Sequence, residues 1–297
     1  MTQGPRTLSG MVQLVDLTSG TPQPRPIDVH WISGSISAKH NTDPDIQVHE
    51  YDPHTFILRQ NKAVHFEAPF VFLLFGNDRA MLLDTGATES PQYFPLRATV
   101  DDLIERWLAE HPRDGYQLLV LHTHSHGDHV AGDGQFAGRP DTTVVPATRD
   151  GAWAFFGFDV DPHRVARVDL GGRALECLAT PGHNKAAVTY YDPHTGILFT
   201  GDTVYPGRLY VEDLPAFRAS IERIIDFAGS RPVTHVLGCH IEMTNQPGVD
   251  YPMGTTFQPD EPPLQLTVEQ LREVGTALTT IDGPGHHRFA DFIIWTS

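Results

Sequence analysis

Residues 118–131 constrain this chain more than any other stretch, because a short apolar run leads directly into a dense group of histidines. Residues 118–121 are all apolar, which predicts a buried strand. The polar residues that follow are His122, His124, His126, Asp128 and His129. Alternate residues of an extended segment point the same way, so His124 and His126 can bind one ion. Asp128 and His129 follow a turn at Gly127 and can face a second ion beside it.

A histidine-rich surface loop is the other interpretation, because the chain contains 17 histidines. Imidazole nitrogens and carboxylate oxygens, however, are the ligands of catalytic zinc sites. Further candidates stand in similar contexts elsewhere in the chain. Asp84 lies in Leu-Leu-Asp-Thr-Gly, His183 in Thr-Pro-Gly-His, Asp202 in Phe-Thr-Gly-Asp-Thr, and His240 in Val-Leu-Gly-Cys-His. Together these motifs favour a metal site.

Taken in order, the motifs resemble the metal-binding signature of the metallo-β-lactamase superfamily over about residues 65–241. Periodicity alone predicts only a mixed α and β chain. The resemblance implies an α/β (α+β) fold, namely a four-layer αββα sandwich of two mixed β-sheets with helices outside. We expect a single domain over residues 1–297, with an N-terminal extension at 1–28 and a loop-rich C-terminal segment at 241–297.

The resemblance also implies a ligand set. One metal would be held by His124, His126 and His183, and a second by Asp128, His129 and His240. Asp202 would bridge the two, and Asp84 would support the ligands from behind, where such groups orient a metal site. Zinc suits this donor set and two zinc ions per chain are expected, although iron or manganese would also accept these ligand types. His122 and His235 lie outside the implied set.

The chemistry implied is that of a metallo-hydrolase. Zinc lowers the pKa of a bound water to about 7, so the two ions would present hydroxide to a lactone, ester or thioester carbonyl. Asp128 would orient that hydroxide or take its proton. Asp202 counts against a β-lactamase, which lacks the bridging aspartate. Hydroxyacylglutathione hydrolases share it, but the Gly-Cys-Gly run that usually follows is missing here. A mono-iron enzyme resembling persulfide dioxygenases is a further alternative, as is β-lactam hydrolysis.

Three other residues are candidates at the site. Tyr205 stands three positions after Asp202, as in acyl-homoserine lactonases, and its phenol could donate a hydrogen bond to a developing oxyanion. An ordinary loop aromatic is the alternative. Lys185 and Arg208 could bind a substrate carboxylate, although a solvated lysine is the simpler interpretation of Lys185. The loop at 241–263 follows His240 directly, and we expect it to border the site.

Composition narrows the function classes. The formal net charge is −16, which argues against a nucleic-acid substrate, so a small-molecule substrate is expected. The two cysteines, Cys177 and Cys239, lie in apolar runs and predict buried thiols. No secretory signal or membrane-length apolar stretch is recognisable, which predicts a cytoplasmic protein.

The remaining pattern predicts how strands and helices alternate. Strands are predicted at residues 29–36, 70–75, 80–83, 117–121, 143–146, 174–179, 186–191, 197–200, 234–238 and 288–295. Helices are predicted at 100–110, after His129, and at 148–156, 213–227 and 267–278. The near-identical runs Tyr-Asp-Pro-His-Thr at 51–55 and 191–195 predict hairpin turns, or an internal duplication.

Overall fold

The first of two large sheets is formed by the N-terminal half of the chain. The computed structural model describes residues 13–296. The strands are β1 (Ile46–Asp52), β2 (Thr55–Gln60), β3 (Phe70–Phe75), β4 (Arg79–Leu83), β5 (Gln117–Leu121) and β6 (Thr142–Val144). They lie in that order in the sheet. Strands β1 to β4 are antiparallel neighbours, whereas β5 runs parallel to both β4 and β6.

The second sheet is formed by the C-terminal half. Its strands are β7 (Ala166–Asp169), β8 (Ala174–Ala179), β9 (Val188–Asp192), β10 (Ile197–Gly201), β12 (His235–Gly238) and β13 (Gln265–Leu266). The order across the sheet is β13-β12-β10-β9-β8-β7, with β10 and β12 parallel. A small third sheet contains β11 (Arg208–Val211), β14 (Gly285–Arg288) and β15 (Ile293–Thr296), in the order β11-β15-β14.

The described residues also form α-helices, and the three longest of these cover the outer faces of the two sheets. The helices are α1 (Leu96–Glu110), α2 (Gly127–Val130), α3 (Asp133–Phe136), α4 (Arg149–Phe156), α5 (Leu214–Gly229) and α6 (Val268–Leu278). Helix α1 packs on the first sheet, and α5 and α6 pack on the second. Thr148, Asp213 and Thr267 cap the starts of α4, α5 and α6 with their side chains. No helix among residues 13–296 is long and apolar enough to cross a membrane.

Strand β3 shows why the sheets stack in this way. All six of its residues are buried, because both faces of the strand are covered. Phe70 and Phe72 point into the core between the sheets, where the Phe72 ring centroid lies 4.7 Å from that of Phe199. Val71 and Leu73 point the other way, into the layer under α1. This period of two confirms the predicted four-layer αββα sandwich.

The structure corrects several predicted elements. Residues 29–36 form only an isolated bridge at Gly34, and the Ile32 backbone N–H donates to the Gln47 side chain instead of a strand partner. The predicted strand at 288–295 is a hairpin, closed where Phe289 N donates to Phe292 O at 2.9 Å. Residues 203–210, predicted as a loop, contain the start of β11, whose partner β15 lies far away in sequence. Residues 13–28 of the N-terminal extension contain no strand, and residues 1–12 lie outside the described part of the chain.

Both Tyr-Asp-Pro-His-Thr runs form hairpin turns, as predicted. The first joins β1 to β2 and the second joins β9 to β10. The buried Arg173 contacts both turns. It donates to Asp192 Oδ2 at 2.6 Å, to His54 O at 2.7 Å and to Thr55 Oγ1 at 2.8 Å. The repeated sequence therefore lies where the two sheets meet.

Candidate metal centre

The predicted ligands come together because the strands that precede them end at one edge of the sandwich. Strand β5 leads to His124 and His126, and α2 then presents Asp128 and His129. His183 follows β8, Asp202 follows β10, and His240 follows β12. Residues at strand ends and in the loops beyond them commonly carry the chemistry of a fold.

Two glycines let the backbone approach closely enough for this. Gly201 has a φ of +55°, and a Cβ there would lie 2.6 Å from the Cβ of Thr123. Gly182 has a φ of +140°, and a Cβ would lie 2.4 Å from Phe217 Cα. Each glycine immediately precedes a predicted ligand, Asp202 or His183. A side chain at either position would force that ligand away from the others.

Three imidazole nitrogens form the first group of donors. His124 Nε2 lies 3.1 Å from His126 Nδ1 and 3.2 Å from His183 Nε2, and His126 Nδ1 lies 3.1 Å from His183 Nε2. Zinc–nitrogen bonds of about 2.0–2.1 Å in a tetrahedron give edges of about 3.3–3.4 Å. The triangle is therefore close to the size that one zinc ion requires.

The His183 tautomer supports this interpretation. Its Nδ1 lies 2.8 Å from the carbonyl oxygen of Tyr210, which can only accept a hydrogen bond. A neutral imidazole has one N–H, so Nε2 of His183 carries the lone pair that faces His124 and His126. Three nitrogens that face one another in this way form a donor set for a cation.

The second group of donors is equally regular. Asp128 Oδ2 lies 3.3 Å from His129 Nε2 and 3.3 Å from His240 Nε2, and the two nitrogens are 3.3 Å apart. The other nitrogen of each imidazole is supported from behind. His240 Nδ1 lies 3.0 Å from the carbonyl oxygen of Glu67, and His129 Nδ1 lies 2.9 Å from Asp84 Oδ2.

Asp202 lies between the two groups. Its Oδ2 is 3.5 Å from His129 Nε2, 3.8 Å from His183 Nε2 and 3.9 Å from His124 Nε2. Its Oδ1 is buried and lies 3.4 Å from His240 Nε2, but it accepts no hydrogen bond of acceptable geometry among residues 13–296. Buried polar atoms are rarely left without a partner, so this oxygen fits the expectation of a cation at the site. The donor set as a whole fits two zinc ions.

Electrostatics keep both carboxyl groups ionised. Burial acts to raise the pKa of Asp202, but His240 and His129 outweigh it and hold that pKa well below its usual range. Burial likewise opposes ionisation of Asp128, and His129 and His240 again lower its pKa well below the usual range. The pKa of His124 is lowered, first by burial and then by the neighbouring His129. Burial opposes protonation of His129 and His240, but the charge of Asp202 outweighs it and raises the pKa of both imidazoles well above its usual range. Without a metal the site therefore holds anionic oxygens, protonated His129 and His240 and a neutral His124, and a bound cation would replace the protons that face the carboxylates.

Asp84 lies behind the second group, and its predicted supporting role stays a prediction. Its two oxygens accept hydrogen bonds from Thr123, at 2.7 Å from the backbone N–H and 2.8 Å from the hydroxyl. The Cys239 thiol contacts the same carboxylate at 3.4 Å. Asp84, His129 and Cys239 are a third possible metal-binding group, but the hydrogen bonds from Thr123 favour a supporting role for Asp84. The φ of Asp84 is +67°, a conformation that non-glycine residues rarely adopt and that costs energy.

Tyr205 is buried beside the second group, with its ring centroid 5.6 Å from that of His240. Its hydroxyl donates to the carbonyl oxygen of Arg208 and lies 3.1 Å from Glu242 Oε2. Burial, followed by the Glu242 charge, raises the pKa of Tyr205 well above its usual range. The predicted oxyanion role stays a prediction, and the hydroxyl would have to leave this network to perform it.

Arg208 and Lys185 differ in their surroundings. Arg208 is buried and donates to Glu242 Oε1 at 2.7 Å and to Asp250 Oδ2 at 2.9 Å. Its charge is thus already matched by carboxylates of the chain, which leaves less of it for a substrate. Lys185 is exposed to solvent, as the simpler interpretation of the sequence has it. The substrate-binding role of both residues stays a prediction.

The two spare histidines lie outside the donor groups. His122 Nε2 lies 2.8 Å from Asp133 Oδ1, and that oxygen also accepts from the Thr85 hydroxyl at 2.8 Å. His235 is half-buried at the start of β12 and contacts the carbonyl oxygen of Arg25 at 2.8 Å. Both thiols are buried and free, as predicted.

Sequence reasoning missed the groups that support the ligands. It also missed residues that line a cavity beside the site. The carbonyl oxygens of Glu67 and Tyr210 carry no sequence signal, because every residue has one. Glu242 stands two positions after His240, and that spacing was the only available clue. Lys62 was missed because a lone lysine in sequence indicates solvent exposure.

Comparison with known proteins identifies the family. The family model of the metallo-beta-lactamase superfamily matches residues 66–286. The hydroxyacylglutathione hydrolase of Synechococcus sp. (strain JA-3-3Ab) is 28% identical over 184 residues, which are 60% of this chain and 70% of that protein. The hydroxyacylglutathione hydrolase of Rhizobium meliloti (strain 1021) is 32% identical over 117 residues, which are 38% of this chain and 45% of that protein. The second match therefore spans less than half of that relative's length.

A solved structure adds independent support for the fold. The metallo-beta-lactamase from Pontibacter korlensis matches 80% of this chain and 100% of its own, with a TM-score of 0.51 and 16% sequence identity. Likeness at this identity shows the fold alone. The family match, in contrast, runs from before Asp84 to beyond His240 and covers well over half of the sequence. This chain therefore belongs to the metallo-beta-lactamase superfamily and is a metallo-hydrolase.

Proposed function

We propose that this enzyme hydrolyses the thioester bond of a small molecule and uses two zinc ions to do so. Esters and lactones require the same attack on a carbonyl carbon and belong to the same proposal. The observation that carries it is the pair of donor triangles with Asp202 between them. The thioester is preferred among these bonds because the curated relatives are named hydroxyacylglutathione hydrolases.

The positions of the residues indicate which of them would bind metal and which would act on the attacking water. His124, His126 and His183 would hold one ion, Asp128, His129 and His240 the other, and Asp202 would join them. When bound, two zinc ions supply a water whose pKa is lowered to about 7 and polarise the substrate carbonyl. Asp128 has the more accessible carboxylate, with 20% of its side chain exposed against 8% for Asp202. We therefore assign to Asp128 the orientation of the attacking water or the acceptance of its proton.

The alternative functions have weaker support. The solved β-lactamases resemble this chain in fold, at an identity too low to indicate a shared substrate. A mono-iron enzyme would leave some of these ligands unused, whereas both donor groups are equally regular. Neither alternative explains why Asp202 lies between two complete triangles.

A substrate panel tests the proposal. Zinc-loaded enzyme is assayed with S-lactoylglutathione, an aryl ester, an N-acyl-homoserine lactone and a chromogenic cephalosporin. We expect chelator-sensitive turnover of the thioester, and loss of that turnover in Asp202→Ala. Asp226→Asn, a change of an exposed aspartate on α5, is the control and should keep full activity. Failure to hydrolyse any thioester, ester or lactone would overturn the proposal.

A further inference from the structure

A cavity of about 220 Å³ lies directly beside the metal centre. Glu67 and Tyr210 line it, and the carbonyl oxygens of these two residues support the imidazoles of His240 and His183. The cavity therefore adjoins one ligand from each donor group. The lining contains none of the seven candidate ligands, so the cavity adjoins the centre through these two supporting residues.

Lys62 is the unusual residue of this cavity. Its side chain lines the cavity although the residue is only 2% exposed. Its ammonium group donates to the carbonyl oxygen of Phe66 at 2.8 Å. Within residues 13–296, no carboxylate lies within ion-pairing distance of this nitrogen. Burial, followed by the nearby Arg59, lowers the pKa of Lys62 to about 8, so most of the group is still charged at neutral pH.

An unpaired buried charge is costly, since the ion loses its water without gaining a counter-ion. The other cations near the cavity do not share this condition. Arg59 is paired with Glu261 at 2.5 Å, and Arg208 is paired with Glu242 at 2.7 Å. Lys62 is thus the buried cation for which a ligand could supply the missing negative charge.

The carboxylates of Glu261, Glu242 and Glu67 all act on Lys62 from a distance, and Glu242 and Glu67 line the cavity. Glu261 and Glu242 are paired with Arg59 and Arg208, so Glu67 is the charge that opposes an anion most directly. It is half-buried, however, whereas Lys62 is almost completely buried. Solvent screens charges near the surface more strongly than buried ones. An anionic group close to the ammonium of Lys62 would therefore gain more from Lys62 than it loses to Glu67.

The cavity volume limits which part of a substrate can enter. Pockets for drug-sized ligands are larger, at about 300–1,000 Å³. A short acyl chain fits this space, whereas a tripeptide leaving group such as glutathione would not.

We propose that this cavity binds the acyl part of the substrate, and that this acyl part ends in a carboxylate that pairs with the ammonium group of Lys62. The inference rests on the proposed thioester hydrolysis and narrows it to monothioesters of short dicarboxylic acids. Lys62 would act in substrate recognition and would leave the chemical step to the metal centre.

A matched pair of substrates tests the inference. S-glutaryl-N-acetylcysteamine and S-pentanoyl-N-acetylcysteamine have acyl chains of equal length, and only the first ends in a carboxylate. Wild-type enzyme should hydrolyse the glutaryl substrate with a kcat/KM at least tenfold higher, mainly through a lower KM. A buried hydrogen bond to a charged group contributes about 1.5–3 kcal/mol, which corresponds to tenfold or more.

Lys62→Met should remove this preference by raising KM for the glutaryl substrate more than KM for the pentanoyl substrate. Lys39→Met, a change of an exposed lysine, is the matched control and should keep the preference. Glutarate should also inhibit the wild-type enzyme more strongly than the Lys62→Met variant. This comparison measures recognition of the carboxylate without turnover. Thermal unfolding checks that Lys62→Met is folded.

The outcomes separate the two proposals. If neither thioester is hydrolysed although a substrate of the first panel is, the function stands and the inference is wrong; if the whole panel is also inert, the proposed function fails. If wild type hydrolyses both but shows no preference, or if Lys62→Met keeps the preference, the function stands and the role of Lys62 is wrong. An equal loss of kcat on both substrates would show that Lys62 has a structural role, and that result would also overturn the inference.

Discussion

His129 lies between Asp84 and the candidate metal position, with its Nδ1 2.9 Å from Asp84 Oδ2. Its Nε2 faces the opposite way, toward Asp128 and His240. The Asp84 carboxylate can only accept a hydrogen bond, so it keeps the proton of His129 on Nδ1 and the lone pair on Nε2. A residue beneath the site thus determines which nitrogen of His129 can bind a metal.

Asp84→Asn tests this relationship. An amide can donate as well as accept, so the variant no longer enforces the metal-binding tautomer of His129. We expect the affinity of the more weakly held zinc ion to fall about 10- to 100-fold, a common effect of changing such a supporting group. Competition titration with a chromophoric chelator measures it, and Asp226→Asn serves as the control. Unchanged affinity for both zinc ions would show that Asp84 does not set the tautomer.

Tyr205→Phe distinguishes a structural from a catalytic hydroxyl. The variant leaves the Arg208 carbonyl oxygen without its buried hydroxyl donor, and it removes one of the donors to Glu242, which still accepts from Arg208. We therefore expect unfolding free energy to fall by about 1–3 kcal/mol, with kcat lowered less than tenfold. Urea unfolding and steady-state kinetics on the same preparation provide both values. A fall in kcat of about 10²–10³-fold with unchanged stability would instead support the predicted oxyanion role.

Arg173 is expected to stabilise the contact between the two Tyr-Asp-Pro-His-Thr turns. Arg173 and Asp192 are fully buried, and their closest atoms are 2.6 Å apart. Breaking a buried ion pair by removing one partner costs about 3–5 kcal/mol, because the other charge is left buried. Arg173→Met should therefore lower the unfolding free energy by about that amount. Arg167→Met, a change of an exposed arginine on β7, should have little effect.

Low pH should lower the unfolding free energy through the same contact between the two turns. Burial acts to raise the pKa of Asp52, but His194 and Arg173 outweigh it and lower the pKa to about 2. The folded pKa is thus below the unfolded value of about 3.9, so the stabilisation is complete above that value and is lost as pH falls toward 2. Asp52→Asn should remove about 2 kcal/mol of this pH dependence in urea unfolding between pH 5 and pH 2. An identical pH dependence in the variant would contradict the assignment.

Local signals in the sequence predicted the elements that lead to the metal centre, whereas the αββα layers were predicted from the resemblance to the metallo-β-lactamase superfamily. Strands β5 and β8 were predicted with the bounds that the structure has, since an apolar run ends in a polar turn. Strand β11 was missed, because what makes it a strand is pairing with the distant β15. Lys62 was missed for a related reason, since its burial depends on contacts that residues far apart in the chain provide.

The measurement that tests the account most directly is the metal content of the protein purified without added metal. Elemental analysis should find close to two zinc ions per chain in the wild-type protein. Asp202→Ala, which removes the carboxylate between the two donor groups, should hold fewer. A single ion per chain, iron in place of zinc, or no bound metal after zinc is supplied would contradict the paired centre.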